Sequence, residues 1–467
     1  MSKLSKAVLL LVILCILSVV YYYDTIKKKL IEREREESEY VFNFNPEKVT
    51  ALELNNNGKI TYVKKDKNGI WQMVKPYEDS GDSEVIERML KRIREIKSFK
   101  EISPATDDLS PYGLDNPTAS FKIYENGSDE PTISARIGLD SIVTSAVYVK
   151  IEDDPVIHYV TNRLKTAVKR RPYELRNKKL ITIPPRDINE IEIHRNSKKF
   201  VLKKTQSGWR MTYPHQGLST EAIALHNISL VNSIVIKRFV RDVIDEEDLK
   251  KCGLLHPLFV FKAVGAKNKV YEIKLGKITG DRGMYLISNM RDGIYYCERD
   301  ILDQLPDEEI DLRQRRIFPV YIHDMAKAVL KNKRGEITFA TDEKRLWWGY
   351  VNGKKYPLNP FNVQRLFAVA TGVNAEKFVN DPAPDLSKYG LNPPQGSFTA
   401  YDRDGNKLGS FLIGKLNKAG IKAYCMNEEY KEIAIIDMVF VRDWLGREPD
   451  FFISKTENGE KNERQKK

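Results

Sequence analysis

A ten-residue pattern, D-L-x-x-(Y/C)-G-L-x-x-P, occurs three times in this 467-residue chain, and no other feature restricts its fold as much. The copies begin at Asp108, Asp248 and Asp385. Each reads as one short helical turn with both ends specified. The aspartate accepts from the first free amides. Gly113, Gly253 and Gly390 stand where the backbone must turn left-handed to stop, with Leu114, Leu254 and Leu391 placed for the apolar contact of a Schellman ending. Pro117, Pro257 and Pro394 then bar the helix from resuming. Tyr112 and Tyr389 share a position that Cys252 fills in the second copy.

Other landmarks repeat in step. Trp71, Trp209 and Trp347 are 138 residues apart, and so are Gly138, Gly276 and Gly414. Solenoid units run roughly 20 to 50 residues, whereas this interval is the size of a small domain with its own core. The expected organisation is a leader and charged stalk over 1–40, three repeats over 41–177, 178–315 and 316–453, and a polar, disordered tail over 454–467. Within the first repeat, period-two segments from Lys48, from Ile60 and at Trp71 predict three strands, each pair separated by an Asn-Gly turn. Val85, Ile86, Met89, Leu90, Ile93 and Ile96 share one face of a following helix. After the turn, four more strands and a short helix near 162–168 close the unit. Short links between strands imply antiparallel pairing, so the fold class is α+β: an N-terminal transmembrane helix, then three tandem antiparallel sheets with covering helices. In the third repeat the helix is expected to start at Asn359-Pro360 and to present Phe361, Leu366 and Val369.

The leader differs in kind from the rest. Ala7 to Tyr23 is uncharged and apolar and ends in three tyrosines. Seventeen helical residues span roughly 26 Å, close to the lower limit for crossing a bilayer. A cleavable signal peptide is the competing reading, but no small-x-small site follows the run. An uncleaved anchor through residues 7–23 is therefore expected. Lys27, Lys28, Lys29, Arg33 and Arg35 follow it and would hold the C-terminal side in the cytoplasm, although the rule weakens for large domains.

In sequence order, W-x-M-x-x-P (Trp71, Met73, Pro76), a helix, the Asp108 to Pro117 turn and a strand ending in Ile137-Gly138 resemble a bacterial family catalogued as domain of unknown function 4340. The pattern departs at Cys252 and in the missing proline after Trp347. The resemblance implies membrane-anchored, extracytoplasmic proteins associated with ABC transporters of the gliding-motility type, sitting in the inner membrane. It implies no catalytic residues.

The residues themselves point away from familiar chemistry. The six histidines form neither H-E-x-x-H nor a zinc-like pairing with cysteine. The stretches 276–283 and 414–420 contain glycines but lack the phosphate-loop pattern and join strands, so they read as hairpin loops. No G-x-S-x-G elbow is present. Cys252, Cys297 and Cys425 occupy non-equivalent places, which argues against a disulfide framework. No catalytic residue, cofactor or metal is assigned. The net charge of +12, from 77 basic and 65 acidic residues, is compatible with an anionic membrane surface. Arg170, Arg171, Arg176, Arg313, Arg315 and Arg316 cluster at repeat ends and are candidate contacts for lipid phosphates or an acidic partner, while nucleic acid is not expected. The leading expectation is a non-enzymatic, membrane-tethered scaffold with a protein partner, ABC-transporter subunits foremost. The alternatives are an envelope hydrolase or transferase with a site between repeats, and a basic adaptor facing the cytoplasm.

Overall fold

A computed structural model describes residues 21–23, 27, 39–104, 108–141, 144–280, 282–381 and 384–454. The expected anchor at 7–23, apart from Tyr21 to Tyr23, and the tail beyond Ser454 lie outside the described residues. Among those described, no helix is long and apolar enough to cross a membrane. The chain divides into two compact units, Met1–Lys178 and Lys179–Lys467. The first holds one repeat and the second holds two.

In the first unit, alternation of buried and exposed residues makes strands β1 (Val49–Asn56), β2 (Lys59–Lys65) and β3 (Trp71–Lys75), followed by the two-residue β4 (Asp79–Ser80). Helix α1 (Ser83–Arg94) is capped by Asp82, whose carboxylate accepts from the Val85 amide at 3.1 Å. It buries Ile86, Met89, Leu90 and Ile93 against the sheet, each contributing roughly 1.5–3 kcal/mol. The chain then forms β5 (Ser98–Ile102), the glycine turn, and a meander of β6 (Ala119–Glu125), β7 (Ile133–Asp140), β8 (Ala146–Ile151) and β9 (Ile157–Thr161). The sheet order is β4-β3-β2-β1-β6-β7-β8-β9-β5, antiparallel throughout. Two meanders thus run outward from a central β1–β6 seam. A short helix at Arg163–Val168 lies beside α1 on the same face.

The second unit contains two further nine-stranded antiparallel sheets in the same order, from Ile188 to Glu298 and from Lys327 to Asp437. Their covering helices are α2 (Glu221–Asn232), capped by Thr220, and α3 (Pro360–Gly372), capped by Asn359 with proline in its first turn. In α3 the expected apolar face is corrected. Leu366 is buried as expected, but Phe361 is 66% exposed and Val369 only half-buried, and Val363, Phe367 and Ala370 share the inward face with Leu366. The helix begins one residue later in the repeat than its counterparts, so its inward face is rotated by one position.

In every repeat the sequence reading missed the short strand before the helix (Asp79–Ser80, Gly217–Leu218 and Lys354–Pro357) and one strand more. It follows the helix and closes the far edge: Ser98–Ile102, Arg238–Arg241 and Lys377–Phe378. These segments are short, charged and largely exposed, as sheet edges are, and so they carry no period-two signal.

Candidate functional site

The glycine turn was the first candidate, and the structure accounts for its glycine and leucine in all three copies and for its aspartate in two. Gly113, Gly253 and Gly390 have φ of 65°, 68° and 68°. In each copy the leucine amide donates five residues back: Leu114 to Leu109 O, Leu254 to Leu249 O, and Leu391 to Leu386 O. The glycine amides donate to Ser110, Lys250 and Ser387 O, which completes a Schellman ending. Asp108 and Asp385 accept from the amides of Ser110 and Ser387 at 2.9 and 3.1 Å. Hydrogen bonds from the Ser110 and Ser387 hydroxyls, and then from those amides, hold both carboxyls below the usual range. Asp248 was expected to cap the second copy and does not. A longer helix, Glu246–Lys251, begins one turn earlier at Asp245, which accepts from the Asp248 amide at 2.6 Å. Three acids in its first turn favour that earlier start. Asp248 pairs with Arg241 at 3.5 Å.

The second glycine of each repeat is explained by the first. A Cβ on Gly138 would lie 2.1 Å from Tyr112 O, on Gly276 2.4 Å from Cys252 O, and on Gly414 2.3 Å from Tyr389 O. The strand pairing slips at this glycine in all three sheets, between Ile137 and Asp140, Leu275 and Ile278, and Ile413 and Leu416. The turn is therefore pressed onto a bulge, on the sheet face away from the helix. There Leu391 joins Met426 and Ile433, and Leu254 joins Cys252 and Ile294, in small second cores. Tyr112 meets Tyr148 edge-on at 5.2 Å, and Tyr389 meets Tyr424 at 5.0 Å. Cys252 packs in the same cluster as Tyr285. The stretches beginning at Gly276 and Gly414 lead into hairpin loops between strands.

Trp71 begins its strand at 0% exposure, and Trp209 is second in its own at 4%. Trp347 holds the same register but is only half-buried. Cys252, Cys297 and Cys425 are buried free thiols. Burial raises all three, Cys297 to about 12. Among the described residues, no group of three or more His, Cys, Asp or Glu is placed to hold a metal ion.

The basic clusters divide sharply. Arg171 and Arg315 are exposed, Arg170 reaches Glu174 at 3.4 Å, and Arg316 donates to Thr371 O at 2.6 Å. Arg176 and Arg313 were grouped with surface contacts and are instead buried, each 3% exposed. Arg176 pairs with Asp79 inside the first repeat. At the place of Asp79 the second repeat has Gly217, where a Cβ would lie 2.5 Å from Arg313 Nε. Arg313 turns to other carboxylates: its Nη1 donates to Glu309 at 2.8 Å, and its Nη2 stands 3.0 Å from Glu432 of the third repeat. Glu432 also accepts from the Leu218 amide. Asn380 and His215 reach the other Glu309 oxygen at 3.2 and 3.0 Å, and the guanidinium stacks 3.7 Å over Phe378. Arg313 Nε is buried without a hydrogen-bond partner. A cleft of about 650 Å³ opens beside this network, lined also by Thr212, Asp381 and Lys431. No motif search could find it, because its members come from residues 212 to 433 and only tertiary packing assembles them.

Comparison with known proteins follows the geometry. A family model described as "Domain of unknown function (DUF4340)" matches residues 71–257 and 348–458. No curated protein matches. Among solved structures, the chain is similar at 7% identity to a DNA polymerase sliding clamp from Pseudomonas aeruginosa, over 86% of this chain and 95% of that one, with a TM-score of 0.15. It is also similar at 7% identity to a Ca2+-stabilized adhesin of an Antarctic bacterium, over 85% of this chain and 84% of that one, with a TM-score of 0.08. Scores this low carry no argument about fold or function. The family match spans more than half of the chain, in segments that hold Trp71, Trp209 and the three glycine turns, and the chain belongs to the family called domain of unknown function 4340.

Proposed function

We propose that this chain is a non-enzymatic, membrane-tethered accessory protein that projects its three sheets outside the cytoplasm to engage a partner in an envelope complex, with ABC-transporter subunits as the partner class. One observation carries the reading: the residues that recur in all three repeats serve packing. The turn glycines terminate helices, the second glycines admit the turn carbonyls, and the leucines are buried, Leu254 and Leu391 in small second cores. A fold copied three times with no chemical group copied alongside it is what a recognition surface needs, since extended sheets and their edges offer contact area. The apolar run at 7–23 supplies the tether, and the resemblance of the motifs supplies the partner class.

The test is purification of the tagged full chain from mild detergent after cross-linking. Co-purification of ATPase and permease subunits is the expected result. A chain recovered alone, or a reporter after Lys467 that is active only in the cytoplasm, would sink the proposal.

The cleft beside Arg313 favours a second reading, an envelope hydrolase or transferase. Its support is the His215–Glu309 pair at 3.0 Å, with the geometry of a base and its orienting carboxylate. Against it, the lining hydroxyl, Thr212, donates to Val201 O at 3.4 Å and not to His215. Replacing His215 by alanine, with loss of an ester- or glycan-cleaving activity present in the unaltered protein, would establish this reading. Equal behaviour of the two proteins would remove it.

A further inference from the structure

One departure of the third repeat from the other two lies beside a cavity. In the first and second repeats the strand tryptophan is sealed, and Met73 and Met211, two residues on, are each 1% exposed. The third repeat has Gly349 at that position, and Leu358 approaches to within 2.7 Å of where its Cβ would lie. Leu358 thus fills the space of the missing methionine, and Trp347 is drawn only partly inward, edge-on to Phe367 at 5.0 Å. Beside them lies a pocket of about 420 Å³ with walls that include Leu346, Trp347, Val363 and Phe367. Small-molecule sites occupy about 300–1,000 Å³ and pair apolar walls with a few placed polar groups. Here the polar groups are Arg345 and Gln364, both exposed, and Arg345 is the charged residue among those lining the pocket. Asp342, at the start of the same turn, is already engaged: it accepts from the Leu346 amide and from Trp348 Nε1, each at 2.9 Å. Among the described residues the Arg345 guanidinium has no ion-pair partner, which leaves it open to an outside anion.

We propose that this pocket binds a single long acyl chain ending in a carboxylate, with the chain between Trp347, Val363 and Phe367 and the carboxylate on Arg345. Apolar walls select the hydrocarbon through burial, and the planar fork of arginine suits a carboxylate. The inference rests on the contrast between repeats and is independent of the partner proposed above.

The test uses the full chain in phosphatidylcholine nanodiscs, photolabelled with a diazirine analogue of hexadecanoate and mapped by peptide mass spectrometry. Adducts within residues 345–367, competed by unlabelled hexadecanoate, are expected. Leu346 is 56% exposed, so Leu346→Asp leaves folding intact, yet it puts a charge at the mouth and should cut labelling about tenfold or more. Ile70, 50% exposed and also directly before its tryptophan, provides the matched control: Ile70→Asp should change nothing. Hexadecan-1-ol should compete less well than the acid, and Arg345→Asn should erase that difference. Adducts that avoid 345–367 or persist in Leu346→Asp overturn the proposal. So does equal competition by the alcohol against the unaltered protein, or stronger competition by a two-chain phosphatidylglycerol.

Discussion

Arg313 of the second repeat stands 3.0 Å from Glu432 of the third, and this pairing joins two sheets where the equivalent Arg176 finds Asp79 within its own repeat. The substitution that separates the two cases is Gly217 at the Asp79 position. One arginine closes a repeat on itself, and its counterpart fastens a repeat to its neighbour.

Removing Glu432 leaves the buried Arg313 charge with Glu309 as its remaining carboxylate, so the cost should fall below the roughly 3–5 kcal/mol of leaving a buried charge uncompensated. Glu432→Ala should therefore lower the melting temperature of the second unit, read by calorimetry. Gly217→Asp should restore much of that loss in the double variant by giving Arg313 the carboxylate that Asp79 gives Arg176. The atoms nearest a new Cβ at 217 belong to the flexible guanidinium, which can yield. A double variant no more stable than Glu432→Ala would refute the equivalence.

Gly138→Ala places a methyl group 2.1 Å from a backbone carbonyl that belongs to the turn. Neither group is a flexible side-chain end, so the turn must lift from the bulge, and overpacking of this kind costs about 1–3 kcal/mol. The expected signature is local: faster amide exchange at Leu114, with α1 unaffected. Uniform loss of protection across the first repeat would contradict the local role given to this contact.

The thiols should be inert in the folded chain. With its pKa pushed up to about 12, Cys297 is about 0.01% thiolate at pH 8, and the thiolate is the reactive form. Iodoacetamide at pH 8 should leave Cys252, Cys297 and Cys425 unmodified in buffer and alkylate all three in urea. Rapid native labelling at any of them would show that the small cores are open.

The turn caps should respond to acid in two repeats. The Asp108 and Asp385 carboxyls are depressed in the folded state, so their contribution is present above the unfolded carboxylate range, near about 3.9, and is lost as pH falls through the lower folded value. Amide protection at Ser110 and Ser387 should fall over that window and should be insensitive to pH in Asp108→Asn and Asp385→Asn. Protection unchanged down to pH 2 in the unaltered chain would remove the carboxylates from the cap.

The repeat, its strands and its covering helices were legible because each is written locally: alternation for the strands, three-to-four spacing for α1, and a glycine with its neighbours for the turn. Gly138, Gly276 and Gly414 were visible as a regular interval, but not the reason for it, since the carbonyls they admit lie 24 to 26 residues earlier in the chain. The edge strand at Ser98–Ile102 was missed because an edge borrows its order from its neighbour and need not alternate.

By itself the sequence determined a thrice-copied α+β unit, because backbone geometry and hydrophobic period act over a few residues and leave their mark in order. Tertiary structure alone decided that Arg176 and Arg313 are buried, that the second and third repeats share one unit, and that Trp347 borders a cavity whereas Trp71 is fully buried. Those outcomes depend on which side chain, brought from elsewhere in the chain, arrives to pair a charge or fill a volume, and that is set by packing in three dimensions.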